Sequence, residues 1–176
     1  MLYMFLADGF EETEAIAPLD VIRRAAIDIK TVGIGSDMPC STHGVYVKPD
    51  CLDVDMSDIS GIILPGGMPG TLNLQKSPVV SGAIEHCAKE NKLIAAICAA
   101  PMILGELGLL DGRRATCFPG FEDSLGDAEL SDLGVVRDGN FITAAGAGKA
   151  LEFGAEIVDY ILGDDKGRKT LKKMQF

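Results

Sequence analysis

The chain has 176 residues, 47% of them hydrophobic, enough for one substantial core and short for two, so one domain over residues 1–176 is the expectation. Its 26 acidic residues against 16 Lys and Arg give a formal net charge of -10, a surface that repels phosphate backbones and anionic membranes. Nucleic acid and membrane are therefore excluded as expected partners. Five cysteines (Cys40, Cys51, Cys87, Cys98, Cys117) are odd in number, scattered and without a Cys-x-x-Cys pair, which fits reduced thiols better than a disulfide framework or a zinc site.

"MLYMFLA" opens the sequence with neither a basic n-region nor a small-residue cleavage site, and the longest apolar run, residues 93 to 104, is interrupted by Pro101 and too short to cross a bilayer. The expectation is a soluble, cytoplasmic protein. "MLYMFLA" itself reads as a strand buried on both faces, ending at the turn signal "DGF". A helix follows with Ile16, Leu19, Ile22 and Ala26 on its inner face, and Pro18 falling in an early turn. "IKTVGI" predicts a second strand, "GVYVK" a third, and "GIILPGG" a fourth that stops at Pro65-Gly66-Gly67.

Ser77 and Pro78 mark a helix start, with Val80, Ile84, Cys87 and Ala88 inward and His86 on the solvent side. "LIAAI" is the next strand and "APMILGELG" the helix leaving it. "RRATCF" reads as a strand, "GVVRDGNFITAA" as a hairpin about Asp138-Gly139, and "KALEFGAEIVDYIL" as a helix with Leu151, Ala155, Val158 and Leu162 inward. Lys166, Arg168, Lys169, Lys172 and Lys173 read as cations favouring the end of a terminal helix. Strands alternating with helices predict an α/β open sandwich, a mostly parallel sheet covered by helices on both faces.

In such a sheet the ligand crevice lies beyond the carboxyl ends of the strands. Cys98 stands there, where a strand turns into a helix among the small residues Ala96, Ala99 and Ala100, the setting of a nucleophile elbow. A helix N-terminus would favour thiolate and lower its pKa, whereas a plain buried cysteine would be a small hydrophobe. Both histidines are poor proton carriers for it, His86 on a helix surface and His43 in a loop. The cluster Glu11, Glu12 and Glu14 offers carboxyl groups instead. Two of the three are expected to be a solvated helix start, while one turned inward beside Cys98 would be desolvated and have its pKa raised. Gly66-Gly67 is either an ordinary turn or, through the Gly67 N–H together with that of Ala99, an oxyanion hole. "AGAGK" lacks the glycine fingerprint of a phosphate loop, so no nucleotide cofactor is indicated, and no other cofactor or metal is called for.

The pieces "DGFEETEA", "ILPGGMPG", "IAAICAAPMIL" and "ATCFPGFE", in that order and spacing, resemble the ThiJ/PfpI superfamily, in the branch that contains the parkinsonism-associated protein deglycase. The resemblance implies a flavodoxin-like sandwich, a homodimer, Cys98 as the reactive centre, Glu14 hydrogen-bonded to it, and Gly66 and Gly67 facing the sulfur. It also marks His43, Phe118 and Lys149 as candidate pocket residues. Phe118 stands where many relatives have a histidine, and Lys149 where a threonine is commoner. Ala99 replaces the histidine that follows the nucleophile in the protease-like branch, so peptidase activity is disfavoured. The implied activity is a cofactor-independent glyoxalase or deglycase acting on a small carbonyl substrate such as methylglyoxal. Its rival is a redox-sensing, chaperone-like stress protein in which Cys98 becomes a sulfinate.

Overall fold

The computed structural model describes all 176 residues. Strands β1 (Leu2–Ala7) and β2 (Ile29–Ile34) flank helix α1 (Glu12–Arg24). β3 (Gly61–Leu64) is followed by α2 (Gly70–Gln75) and α3 (Pro78–Lys89), and β4 (Leu93–Ile97) by α4 (Pro101–Glu106). β5 (Arg114–Ala115) and β6 (Glu129–Leu130) precede the hairpin β7 (Val135–Asp138) and β8 (Phe141–Ala144), and α5 (Ala150–Leu162) and α6 (Lys166–Lys173) complete the chain. The main sheet has the order β2-β1-β3-β4-β8-β7, parallel except for the edge strand β7.

Alternation along the central strands explains the two-sided burial. Tyr3, Phe5 and Ala7 of β1, Ile62 and Leu64 of β3, and Ile94 and Ala96 of β4 enter one core with residues of α2, α3 and α4. Leu2, Met4 and Leu6, Ile63, and Leu93, Ala95 and Ile97 enter the other with α1, α5 and α6. Side chains of period two thus feed both layers, so continuous apolar runs are what a central parallel strand needs. Each fully buried Leu, Ile or Phe contributes about 1.5–3 kcal/mol of transfer free energy. No helix is long and apolar enough to cross a membrane.

Several local expectations are corrected. "GVYVK" forms no strand: Tyr46 makes a single antiparallel bridge to Cys40, and the edge of β2 is taken instead by Cys51, which bridges Val32. An alternating pattern becomes a strand only where a sheet edge is free to receive it. "RRATCF" contributes only Arg114 and Ala115, paired with Glu129 and Leu130 in a separate two-stranded sheet. Thr116 lies beside the main sheet, its N–H donating to Thr143 Oγ1 at 3.0 Å.

The inner face of α1 is rotated from its predicted phase. Ala15, Pro18, Leu19, Val21 and Ile22 are buried, while Ile16 is 40% exposed and Ala26 lies beyond the helix in solvent. Close approach to α5 decides this, because a Cβ on Gly154 would lie 2.8 Å from Pro18 Cα. On α5 itself Phe153, Gly154 and Ile157 join Ala155 and Val158 in the core, with Leu151 half-buried and Leu162 exposed. Cys87 is core, but Ala83 replaces Ala88 on the buried stripe, and His86 is half-buried against Lys92 Nζ at 2.8 Å. Ser77 occupies the N-cap position ahead of Pro78 without a side-chain capping bond.

Candidate active site

The carboxyl ends of β1, β3, β4 and β8 converge, and the sharpest turn among them is at Cys98. Its φ is +65°, a left-handed conformation that a non-glycine residue holds only where its surroundings impose it, at about 1–3 kcal/mol. Two backbone bonds impose it here: Cys98 N–H donates to the Ala144 carbonyl at 2.8 Å, and Phe118 N–H donates to the Cys98 carbonyl at 2.9 Å. This strained strand-to-helix turn is the expected nucleophile elbow, and it leaves the sulfur half-buried at the floor of the crevice.

Glu14 projects from the first turn of α1 and is 1% exposed. Its Oε2 accepts the Gly66 N–H at 3.0 Å, and the Cys98 thiol and the Ala147 backbone lie beside the carboxyl group. Gly66 is what allows the three to meet. A Cβ at that position would lie 2.6 Å from Glu14 Oε2 and 2.7 Å from Cys98 Cβ. Gly67, with φ +91°, passes equally close to the chain after β1, where a Cβ would be 2.5 Å from the Glu11 nitrogen. The backbone N–H groups of Gly67 and Ala99 lie on the side of the sulfur and act to lower the thiol. Cys98, Glu14, Gly66, Gly67 and Ala99 are thus brought together.

Electrostatics overturns one expectation. Burial pushes Glu14 up from an ordinary 4.5 to about 7, with the neighbouring Glu11 charge adding to it. The Cys98 thiol, expected to be lowered, is instead pushed up to about 12 by burial and by the Glu14 carboxylate beside it, against the N–H groups of Ala99 and Gly67. The helix that should have stabilised a thiolate is only six residues long and begins three residues after Cys98, so its dipole is small and distant. Burial and mutual repulsion thus disfavour having both groups charged at once.

The remaining candidates are divided. Phe118 stands at the site: a Cβ added to Gly146 would lie 3.2 Å from Phe118 Cδ2 and 3.9 Å from Glu14 Oε1. His43 is exposed and bonded to Glu12 at 2.8 Å, with no hydrogen bond to Cys98 or Glu14. Lys149 turns away, pairing with Glu152 at 2.9 Å and lying over Gly134. Glu11, expected with Glu12 to be a solvated helix start, caps α1 by accepting the Glu14 N–H at 2.7 Å. Ala147 and Gly146, within "AGAGK", were not singled out by sequence. Their signal is small residues after a strand end, which the phosphate-loop comparison set aside.

Glu11, Glu12 and His43 bring one ligand atom each within 4.8 Å of one another, but Glu11 is engaged as a cap and Glu12 by His43. An apolar cavity between α2, α3 and α4, lined by Leu74, Val80, Ile84 and Ile103, lies on another part of the molecule and holds no comparable chemistry.

Comparison with known proteins agrees with the fold. The DJ-1/PfpI family profile matches residues 1–160. The Parkinson disease protein 7 homolog of Danio rerio is 37% identical over 168 residues, covering 91% of this chain and 88% of that protein. A Caenorhabditis elegans protein named glutathione-independent glyoxalase DJR-1.2 is 32% identical over 177 residues, covering 98% and 94%. The crystal structure of Drosophila melanogaster DJ-1beta superposes with a TM-score of 0.91 at 33% identity, covering 99% of this chain and 96% of that one. The fold is the flavodoxin-like α/β sandwich of these relatives, and the chain belongs to the DJ-1/PfpI family.

Proposed function

We propose that this protein is a cysteine-dependent, cofactor-independent glyoxalase or deglycase, acting on methylglyoxal-type dicarbonyls or on their early glycation adducts. The observation that carries the reading is the buried Glu14 carboxyl group, raised to about 7, beside the Cys98 thiol. A base titrating near neutrality is suited to taking a proton and returning it. The C. elegans relative bearing the glyoxalase name supports the same chemistry.

Ionised Glu14 takes the thiol proton as the sulfur attacks the aldehyde carbon, forming the C–S bond of a hemithioacetal. The Gly67 and Ala99 N–H groups stabilise the developing oxyanion, which is then protonated. Glu14, having returned its proton to that oxyanion, next removes the hydrogen from the same carbon and delivers a proton to the adjacent carbonyl carbon, while the hydroxyl proton passes from the first oxygen to the second. The aldehyde carbon is thereby oxidised to a thioester and the ketone carbon reduced to an alcohol, with no external electron carrier. Water cleaves the thioester, releasing the hydroxy acid and restoring the thiol. On the adduct of a glycated amine or thiol, the Cys98 sulfur would displace the amine or thiol from the carbinol carbon, the leaving group taking up the thiol proton, and the hemithioacetal so formed would follow the same course.

A redox-sensing role draws on the same sulfur but requires resting thiolate, which is the form that oxidises. Incubating the purified protein with methylglyoxal in the absence of glutathione tests the proposal. Lactate should form, and Cys98→Ala should abolish it; a native protein that makes no lactate, or a variant that makes as much, defeats the reading.

A further inference from the structure

We propose that Phe118 is a specificity residue that makes this site prefer α-oxoaldehydes bearing an aromatic substituent over methylglyoxal. The inference rests on the catalytic reading of Cys98 and Glu14 above, and adds to it a substrate class.

Three observations carry it. The first is tethering: Phe118 N–H donates to the carbonyl of Cys98 itself at 2.9 Å, and the preceding Cys117 is buried, so the ring is held at a fixed place beside the elbow. The second is position relative to the base. A Cβ on Gly146 would lie 3.2 and 3.8 Å from Phe118 Cδ2 and Cε2 and 3.9 Å from Glu14 Oε1. Ring and carboxyl group therefore flank the same empty side-chain position, and a substrate whose carbonyl carbons lie between Cys98 and Glu14 projects its substituent toward the ring. The third is exposure: Phe118 is 47% exposed, whereas Glu14 is 1% exposed. The chain leaves uncovered an aromatic surface beside a buried Glu14 and a half-buried Cys98.

The charged groups around the site point the same way. The carboxylate of Glu11 bears on Glu14. The nearest candidate cations are committed elsewhere, His43 to Glu12 and Lys149 to Glu152. A substituent carrying a carboxylate would meet acids without a balancing cation. An aryl group meets a ring with which it stacks in an offset or edge-to-face arrangement and from which it displaces water. A methyl group is too small to cover it.

Phenylglyoxal is the probe. Its conversion consumes one water and gives mandelate: the C–S bond formed on the aldehyde carbon is cleaved at the end, that carbon is oxidised, and the ketone carbon is reduced. We would measure kcat/KM for phenylglyoxal and methylglyoxal, without glutathione, on the native protein, Phe118→Ala and Phe118→Tyr, with thermal melting of all three. The native protein should favour phenylglyoxal by roughly tenfold or more, the scale on which apolar subsites discriminate. Phe118→Ala should bring the ratio of the two constants close to one, and Phe118→Tyr, which keeps the ring, should restore it. Methylglyoxal turnover without aryl preference, or a preference that survives Phe118→Ala, overturns the specificity assignment and leaves the catalytic reading standing. Native protein inert toward both aldehydes overturns the catalytic reading and the assignment with it.

Discussion

The Gly66 backbone N–H donates to Glu14 Oε2 at 3.0 Å, and Gly66 Cα lies so close to that oxygen that an added Cβ would be 2.6 Å from it. One residue thus supplies both a hydrogen bond and the space in which the carboxyl group meets Cys98. Gly66→Ala should cost about 1–3 kcal/mol through overpacking, because the competing atoms belong to buried groups. It should also separate Glu14 from the thiol. Urea unfolding and Cys98 alkylation rates would check both effects, and a variant unchanged in the two would mean that Gly66 is only a turn residue.

The pH dependence of stability follows from Glu14. Burial favours its protonated form, so the folded chain keeps this proton up to about pH 7, whereas the unfolded chain releases it near 4.5. Below 4.5 both states hold the proton. As pH rises from 4.5 to 7, the folded state holds more protons than the unfolded state, and stability falls by roughly 3 kcal/mol from this residue alone. Glu14→Gln removes that slope. Unfolding free energies of both proteins at pH 5 and pH 8 should converge on a difference that shifts by roughly 2–3 kcal/mol in favour of the variant at the higher pH. Parallel pH profiles would place the Glu14 titration elsewhere.

Glu11 should act in two ways. As the N-cap of α1 it accepts the Glu14 N–H at 2.7 Å, and its charge helps to raise Glu14. Glu11→Gln keeps an acceptor and removes the charge, so helix stability should change little while the alkaline-rising limb of the activity profile moves to lower pH. Glu11→Ala should in addition lose about 1 kcal/mol of stability. Identical pH profiles for Glu11→Gln and the native protein would show that the charge is screened from the site.

What could be read from the residues depended on whether their surroundings were local. The elbow at Cys98 was legible because a strand-length apolar run, a cluster of alanines and Pro101 lie together in sequence. The inward turn of Glu14 was legible only as one of three acids, since the partner that selects it, the Gly66 N–H, is 52 residues away. The sign of the Cys98 shift was not legible at all: it depends on burial and on the ionised neighbour, which outweigh a six-residue helix. The phase of α1 failed for a similar reason, because Gly154 of another helix fixes which side of α1 is approached. "GVYVK" had strand composition without a free sheet edge.

The most direct measurement separates nucleophilicity from proton transfer in a single variant, Glu14→Gln. Burial is the main influence that holds the Cys98 thiol up and the Glu14 charge the next; removing that charge should leave alkylation of Cys98 at pH 7.5, followed by peptide mapping, as fast as in the native protein or faster. Lactate formation from methylglyoxal should nonetheless fall by roughly 10²- to 10⁴-fold, the usual contribution of a positioned acid or base. Lactate produced at the native rate by Glu14→Gln, with the thiol equally reactive, would contradict the assignment of Glu14 as the group that moves the proton.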